Sequence, residues 1–382
     1  MKKNIISIIS IVICAIIVLI VFGGVIFIND KKKQMGTIII WADEDEYDYI
    51  NTVAQQFIME NEDLDIEIDK INSENYKEEI EKAISEDKIP DIIEMDSQEI
   101  LEFNNNYKNK LSIYNCEEII MDNKDEFNKR SIQDVTIDNN MMAVPYTMNP
   151  LVLYLRQDML KDYNYLPEDI KTWDDLISIG KDIYNKSNKN VKIINAIGKE
   201  YNYLVDLLIQ QAISEEKDIN KAKENVNNMI KQLVDNNILN FDRNGSFLAR
   251  VSSINTYKEV KLLNQECRWQ ACNAPALSEG GNRFFESSGK SFVLIKNSDN
   301  RISIVKEYIN ALIESKTGMI DEVINGNNFF SYNSVYNSSK VENQVINFIE
   351  TSPLVVMDNI NKKALKIKDY KQYRALRNIF LN

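Results

Sequence analysis

The sequence predicts an α/β fold in two domains behind an apolar N-terminal segment. Three observations predict it. Short β-branched runs alternate with stretches whose apolar residues recur at helical spacing. An almost unbroken apolar run fills the start of the 382-residue chain. The remaining length, about 345 residues, exceeds one typical domain and suits two.

Ile5 to Ile28 is nearly all Ile, Val, Ala and Phe, preceded by Lys2 and Lys3. About 20 apolar residues span a bilayer as a helix. No A-x-A cleavage pattern follows, and Ile13 rather than a small residue precedes Cys14, so residues 1–35 are expected to be an uncleaved anchor and linker. Lys31, Lys32 and Lys33 balance Lys2 and Lys3, and the positive-inside rule therefore gives no orientation.

Thr37 to Trp41 predicts a buried strand, followed by an acidic turn at residues 43–46. Tyr49, Val53, Phe57 and Ile58 predict a helix, Asp65 to Ile71 a second strand, and Tyr76 to Ile84 a helix stopped by Pro90. Asp91 to Met95 predicts a third strand, and Ile100 begins another helix. Such alternation predicts βαβ units and a largely parallel sheet, with ligands beyond the C-terminal strand ends. Those ends are Trp41 to Glu44 and Met95 to Ser97. In the middle, turns at Pro145 and Pro150 lead into an apolar strand ending at Arg156, and Thr172 is placed to cap the helix that follows. Helical patterns run over 201–213 and 219–234, a strand over 291–295 and a helix over 302–313. The C-terminal part is mostly helical, with a loop at residues 325–333.

Composition excludes several functions. A net charge of −13 argues against nucleic acid as a partner. The chain has no histidine, which rules out Ser-His-Asp and Cys-His catalysis and His-ligated metals. The four cysteines do not form two close pairs, so a Cys-only zinc site is not expected. Cys116 reads as a packed free thiol; Cys267 and Cys272 either pair or pack. No metal, cofactor or catalytic residue is expected. Carboxylates are plentiful, but no spacing singles out a glycoside-cleaving pair.

The order of motifs resembles the extracellular solute-binding proteins (family 1) that serve ABC importers of sugars and oligosaccharides. GTIIIWADED is similar to that family's first strand, IPDIIEMDSQEILEF to its strand-then-helix segment, and AVPYTMNPLVLYLRQDMLKDY to its crossing between lobes. KTWDDLISIGKDI, ACNAPALSEGGN and SSGKSFVLIKNSDNRISIVKEYINALIES complete the series. The resemblance implies a two-lobe, type II periplasmic-binding-protein-like fold with a cleft between lobes. Residues 36–146 and 276–316 would form lobe 1, and 149–274 and 317–382 lobe 2. It also implies capture of a small solute, a sugar, by hinge closure, ABC permease subunits as partners, an extracytoplasmic body and no enzymatic activity. Departures are the anchor in place of a lipid, only eleven glycines, and an eroded stretch at 245–250. A non-transporting sensor is the alternative they leave open.

Sugar binding needs aromatic faces for stacking and carboxylates and amides for hydroxyl groups. Trp41 either opens on the cleft or packs in the core; Glu44 and Asp45 either reach it or form a solvated turn. Asp96 and Ser97 sit at a strand end and either bind or cap a helix. Tyr146, Thr147 and Asn149 lie at the crossing; the resemblance singles out Tyr146, which either binds or packs at the hinge. Ser287, Ser288 and Gly289 before a lobe 1 strand either face the cleft or form an ordinary turn. In lobe 2, Tyr257 is a candidate to stack on ligand, and Trp269 either does so or packs in the core; Phe329, Phe330 and Tyr332 in a late loop either rim the cleft or contact a partner. Trp173 is assigned to packing.

Overall fold

The computed structural model describes residues 36–382 except 45, 73, 74, 264–266, 288, 368 and 382. The membrane-spanning helix expected over Ile5 to Ile28 lies outside the described residues. Among those described, no helix is long and apolar enough to cross a membrane.

The strands are β1 (Gly36–Ala42), β2 (Leu64–Lys70), β3 (Ile92–Asp96), a small hairpin of β4 (Thr136–Ile137) and β5 (Asn140–Met141), β6 (Val144–Pro145), β7 (Val152–Arg156), β8 (Val191–Asn195), β9 (Leu239–Asn240), β10 (Ser246–Ser252), β11 (Trp269–Asn273) and β12 (Lys290–Leu294). Two five-stranded sheets result, ordered β2-β1-β3-β12-β6 and β11-β7-β10-β8-β9. In the first sheet β1 runs parallel to β2 and β3, whereas β12 is antiparallel to β3 and β6. The parallel character expected from the sequence therefore stops at β3. The chain leaves through β6 and returns through β12 along the same edge, in opposite directions.

Local chemistry fixes the elements. Ile38 and Ile40 of β1 point into the core while Ile39 is half-buried, the alternation a covered strand requires. The helix Tyr76–Glu86 ends at Asp87, whose φ of 55° is left-handed, before Pro90 is reached. Asp91, fully buried, accepts from Ile39 N at 2.9 Å, Asn297 Nδ2 at 2.8 Å and Arg301 Nε at 2.8 Å. It staples β1 to the helix Asp299–Glu314. Thr172 caps the helix Trp173–Lys186 as expected: its Oγ1 accepts from Asp175 N at 3.1 Å, and Asp175 accepts from Thr172 N at 2.8 Å.

Strand β7 faces two cores. Leu153 and Leu155 join Trp173, Leu176 and Leu204 in the second sheet's core. Val152 and Tyr154 face the other way, toward Phe348, Leu354 and Met357, in a core continuous with that of the first sheet. Cys116, Cys267 and Cys272 are free thiols.

Three segments link the sheets side by side. Tyr146 N donates to Lys290 O at 3.0 Å, Met148 N to Phe329 O at 2.8 Å, and Ser287 N to Asn149 O at 2.8 Å. The helix Tyr370–Leu381 adds another tie. Its Tyr373 and Leu376 are buried in the second core, while Arg374 Nη2 donates to Gln98 O at 2.9 Å and pairs with Glu102 beside the first sheet. Gly289 fits only because it lacks a side chain: a Cβ there would lie 2.1 Å from Thr147 O. Gly289→Ala should therefore pry two linking segments apart and destabilise the chain by about 1–3 kcal/mol. A urea midpoint equal to that of the parent chain would refute this.

Candidate functional site

A cavity of about 540 Å³ opens between the two sheets. On the first sheet's side it is lined by Asp43, Glu46, Asp48, Tyr49 and Lys290, from the loop and helix after β1 and from the start of β12. On the other side stand Lys199 and Tyr203, in the first turns of the helix Lys199–Glu215, and Asn255 and Lys258, near the start of the helix Ile254–Lys261. The linking segments contribute Thr147, Met148 and Asn149, and Asn327, Asn328 and Phe329. A second cavity, of about 560 Å³, continues along the second sheet and shares Lys199, Tyr203, Asn255 and Lys258 with the first.

The floor is charged. Lys290 Nζ lies 2.9 Å from Asp43 Oδ2, and Glu94 beneath accepts from Asp43 N at 2.8 Å. Burial opposes the Lys290 charge, but Glu94, Glu46, Asp43 and Asp96 outweigh it and hold the ammonium protonated. Glu94 is fully buried; burial, then repulsion by Glu46, raises its pKa well above the carboxylate range. Its Oε1 has no hydrogen-bond partner among the described residues, and neither do the hydroxyls of Tyr76 and Tyr146.

Of the residues singled out from sequence, the structure brings few to this cavity. Asn149 lines it, as do Thr147 and Phe329. Glu44 is exposed on the turn and does not line it, whereas Asp43, Glu46 and Asp48 do. Asp45 and Ser288 lie outside the described residues. Trp41 is in the core, 5% exposed. Tyr146 is fully buried, with ring centroids 4.5 Å from Phe292 and 5.5 Å from Phe330, which leaves no face for a ligand. Tyr257 is also buried, its hydroxyl donating to Ile324 O at 2.8 Å. Trp269, Phe330 and Tyr332 are buried, and Trp173, packed as expected, donates from Nε1 to Gln211 Oε1 at 2.8 Å.

The remaining polar candidates are bonded within the first sheet or at the links between the sheets. The Ser97 and Ser291 hydroxyls are 2.6 Å apart, and Ser287 Oγ donates to Asp206 Oδ2 at 3.1 Å. Arg377 Nε reaches Asp206 Oδ1 at 2.8 Å. Asp96 Oδ1 accepts from Gln98 N at 2.9 Å, the capping-type bond that was its alternative. Burial raises the Asp96 pKa to about 6, against the pull of Lys290 and Arg377.

Sequence reasoning missed Lys290, next to the expected Ser287 to Gly289 turn, and Lys199 and Tyr203. The last two follow β8, a short strand whose Val191, Ile193 and Ile194 could have flagged it. Strand-end geometry would then have pointed to the helix start beyond it.

Residues 52–311 match the family described as bacterial extracellular solute-binding protein, and the chain belongs to that family. The resemblance read from the motif order is thus borne out. No curated protein sequence matches the chain. The fold is similar to that of the sugar-binding protein MalE from Xanthomonas citri, at 14% identity and a TM-score of 0.73, over 91% of this chain and 90% of that one. It is similar also to the GacH receptor of Streptomyces glaucescens, solved unliganded and with acarbose (15%, TM-score 0.67, 91% and 92%). A third likeness is to the cyclic α-maltosyl-1,6-maltose binding protein of Arthrobacter globiformis (13%, TM-score 0.64, 91% and 99%). These likenesses show the two-lobe α/β fold.

The raised Asp96 pKa has a sign that can be tested. Below pH 4 the folded and unfolded chains both keep this proton; above about pH 6 the folded chain has lost it from an unfavourable site. The resulting loss of stability develops as pH rises from about 4 to 6. Asp96→Asn, which keeps an acceptor for Gln98 N, should stabilise the chain at pH 7 by about 1–3 kcal/mol and leave it unchanged at pH 4. Equal effects in urea unfolding at both pH values would contradict this.

Proposed function

We propose that this solute-binding protein captures a carbohydrate in the cleft between its lobes and presents it to an ABC importer. The observation that carries the reading is the cavity lining. Tyr203 stands on the second sheet's wall, with Asn149, Asn255, Asn327 and Asn328 beside it and carboxylates and lysines around them. Amides and carboxylates suit the alternating donors and acceptors of sugar hydroxyls, and aromatic rings suit their C–H faces. The three similar structures, of a sugar-binding protein, a receptor solved with acarbose and a cyclic α-maltosyl-1,6-maltose binding protein, support the same reading.

In this proposal lobe 1 comprises residues 36–146 and 276–316, and lobe 2 residues 149–274 and 317–382. A ligand bridging both walls favours closure about the linking segments, because it gains contacts in the closed state that the open state lacks. Residues 1–35 anchor the chain, with the lobes outside the membrane.

Tyr203→Ala should weaken sugar binding at least tenfold, about 1.4 kcal/mol, and lower the unliganded melting temperature less than Tyr146→Ala does. Tyr146→Ala should instead cost about 3–5 kcal/mol of stability, because it empties a filled core position. Thermal unfolding of the purified chain with mono- and oligosaccharides, amino acids, peptides and polyamines checks both. A ligand at 100 times its Kd adds about 2.7 kcal/mol to stability. A shift with peptides or polyamines alone would overturn the sugar assignment.

A further inference from the structure

The lobe 2 end of the cleft is positive in a chain whose net charge is −13. In the cavity of about 560 Å³, Arg250 Nη1 lies 3.0 Å from Glu200 Oε1 and also pairs with Glu259. That trio carries one negative charge, and Arg243 and Lys258 around the same cavity outweigh it. Lys258 Nζ hydrogen-bonds the neutral Asn327 Oδ1 at 2.7 Å and makes no ion pair with a described residue. Arg243 is exposed on the turn after β9 and makes no ion pair with any described residue. The helices bearing Lys199 and Lys258 turn their first turns toward the cavity, so their dipoles add to the same sign. Across the cleft, Asp43, Glu46 and Asp48 make the opposing wall acidic.

We infer that the cleft takes a carbohydrate bearing an acidic group, a carboxylate or a phosphate, held against Lys199, Arg243 and Lys258 with its hydroxyl-rich end toward Asp43 and Glu46. This rests on the carbohydrate reading above and narrows it. The polarity of the two walls sets the direction of binding. A ligand reversed in the cleft would place its anion against carboxylates, whereas in the inferred direction those carboxylates accept from hydroxyls. An anion held by exposed cations is also sensitive to screening.

The test is calorimetric titration of the full-length chain with three probes: digalacturonate, maltose 6′-phosphate and neutral maltose. At least one acidic probe should bind tenfold or more tightly than maltose. That advantage should shrink severalfold between 50 and 300 mM salt, since screening lengths fall over that range from about 14 to 6 Å. Whichever acidic probe wins identifies the group. Arg243→Gln and Lys258→Gln should each lower the ratio of acidic to neutral affinity. Maltose binding as well as both acidic probes would overturn the inference and leave the carbohydrate reading standing. An acidic preference that neither substitution changes would overturn the assignment to this wall. A folded chain that binds none of the three, nor any other sugar, would overturn both readings.

Discussion

The return of β12 to the first sheet is the constraint on which the rest of the molecule depends. Its first residue, Lys290, pairs in register with Asp96 and sends its ammonium to Asp43. One cation thereby offsets a group of carboxylates, Asp43, Glu46, Glu94 and Asp96, that would repel one another at low dielectric. Burial, then repulsion by Glu46, raises the Glu94 pKa in response to the same crowding. The strand that completes the sheet thus also brings a cation into the acidic floor of the cleft, and the residue before it, Gly289, lies against the other linking segment.

Beside this floor lies a second polar network. Arg130, almost fully buried, donates from Nε to Asp134 at 3.0 Å and lies 3.7 Å from Glu286 Oε2. Burial raises the Glu286 pKa to about 8 despite Arg130. Tyr370 donates to Asp134 at 2.6 Å. Together with Asp206, Ser287 and Arg377, these groups tie the helix Tyr370–Leu381 to the linking segments. Buried polar groups are tolerated where they satisfy one another, so polar residues at the junction of two lobes serve first as each other's partners.

That explains what was legible in the sequence. The alternation of strands and helices, the Thr172 cap and the order of motifs all reflect local periodicity and local hydrogen bonding, and they gave the α/β class and the family. The site depends on which residues meet across the chain, and no local pattern records that. Tyr146 and Ser287 sit at the crossing as the resemblance implied, but one turns into an aromatic core and the other toward Asp206. Asn149, three residues from the buried Tyr146, lines the cavity. Trp41 shows the same ambiguity: a residue at a strand end is near the cleft, and its side chain still follows the pleat into the core.

The chain path also has a consequence in time. Ser97 and Ser291, whose hydroxyls touch beside the β3–β12 pairing, are 194 residues apart. At ribosomal rates of about 5–20 residues per second, β3 waits roughly 10–40 s for its partner strand while the whole second sheet is made. Over that interval its apolar Ile92-Ile93 edge can pair only with β1 on one side. The newborn first lobe is therefore an incomplete sheet with one open edge, the kind of surface that invites pairing with another chain. Synthesis of the second sheet is on the critical path of the first, and anything that delays it lengthens the exposure of that edge.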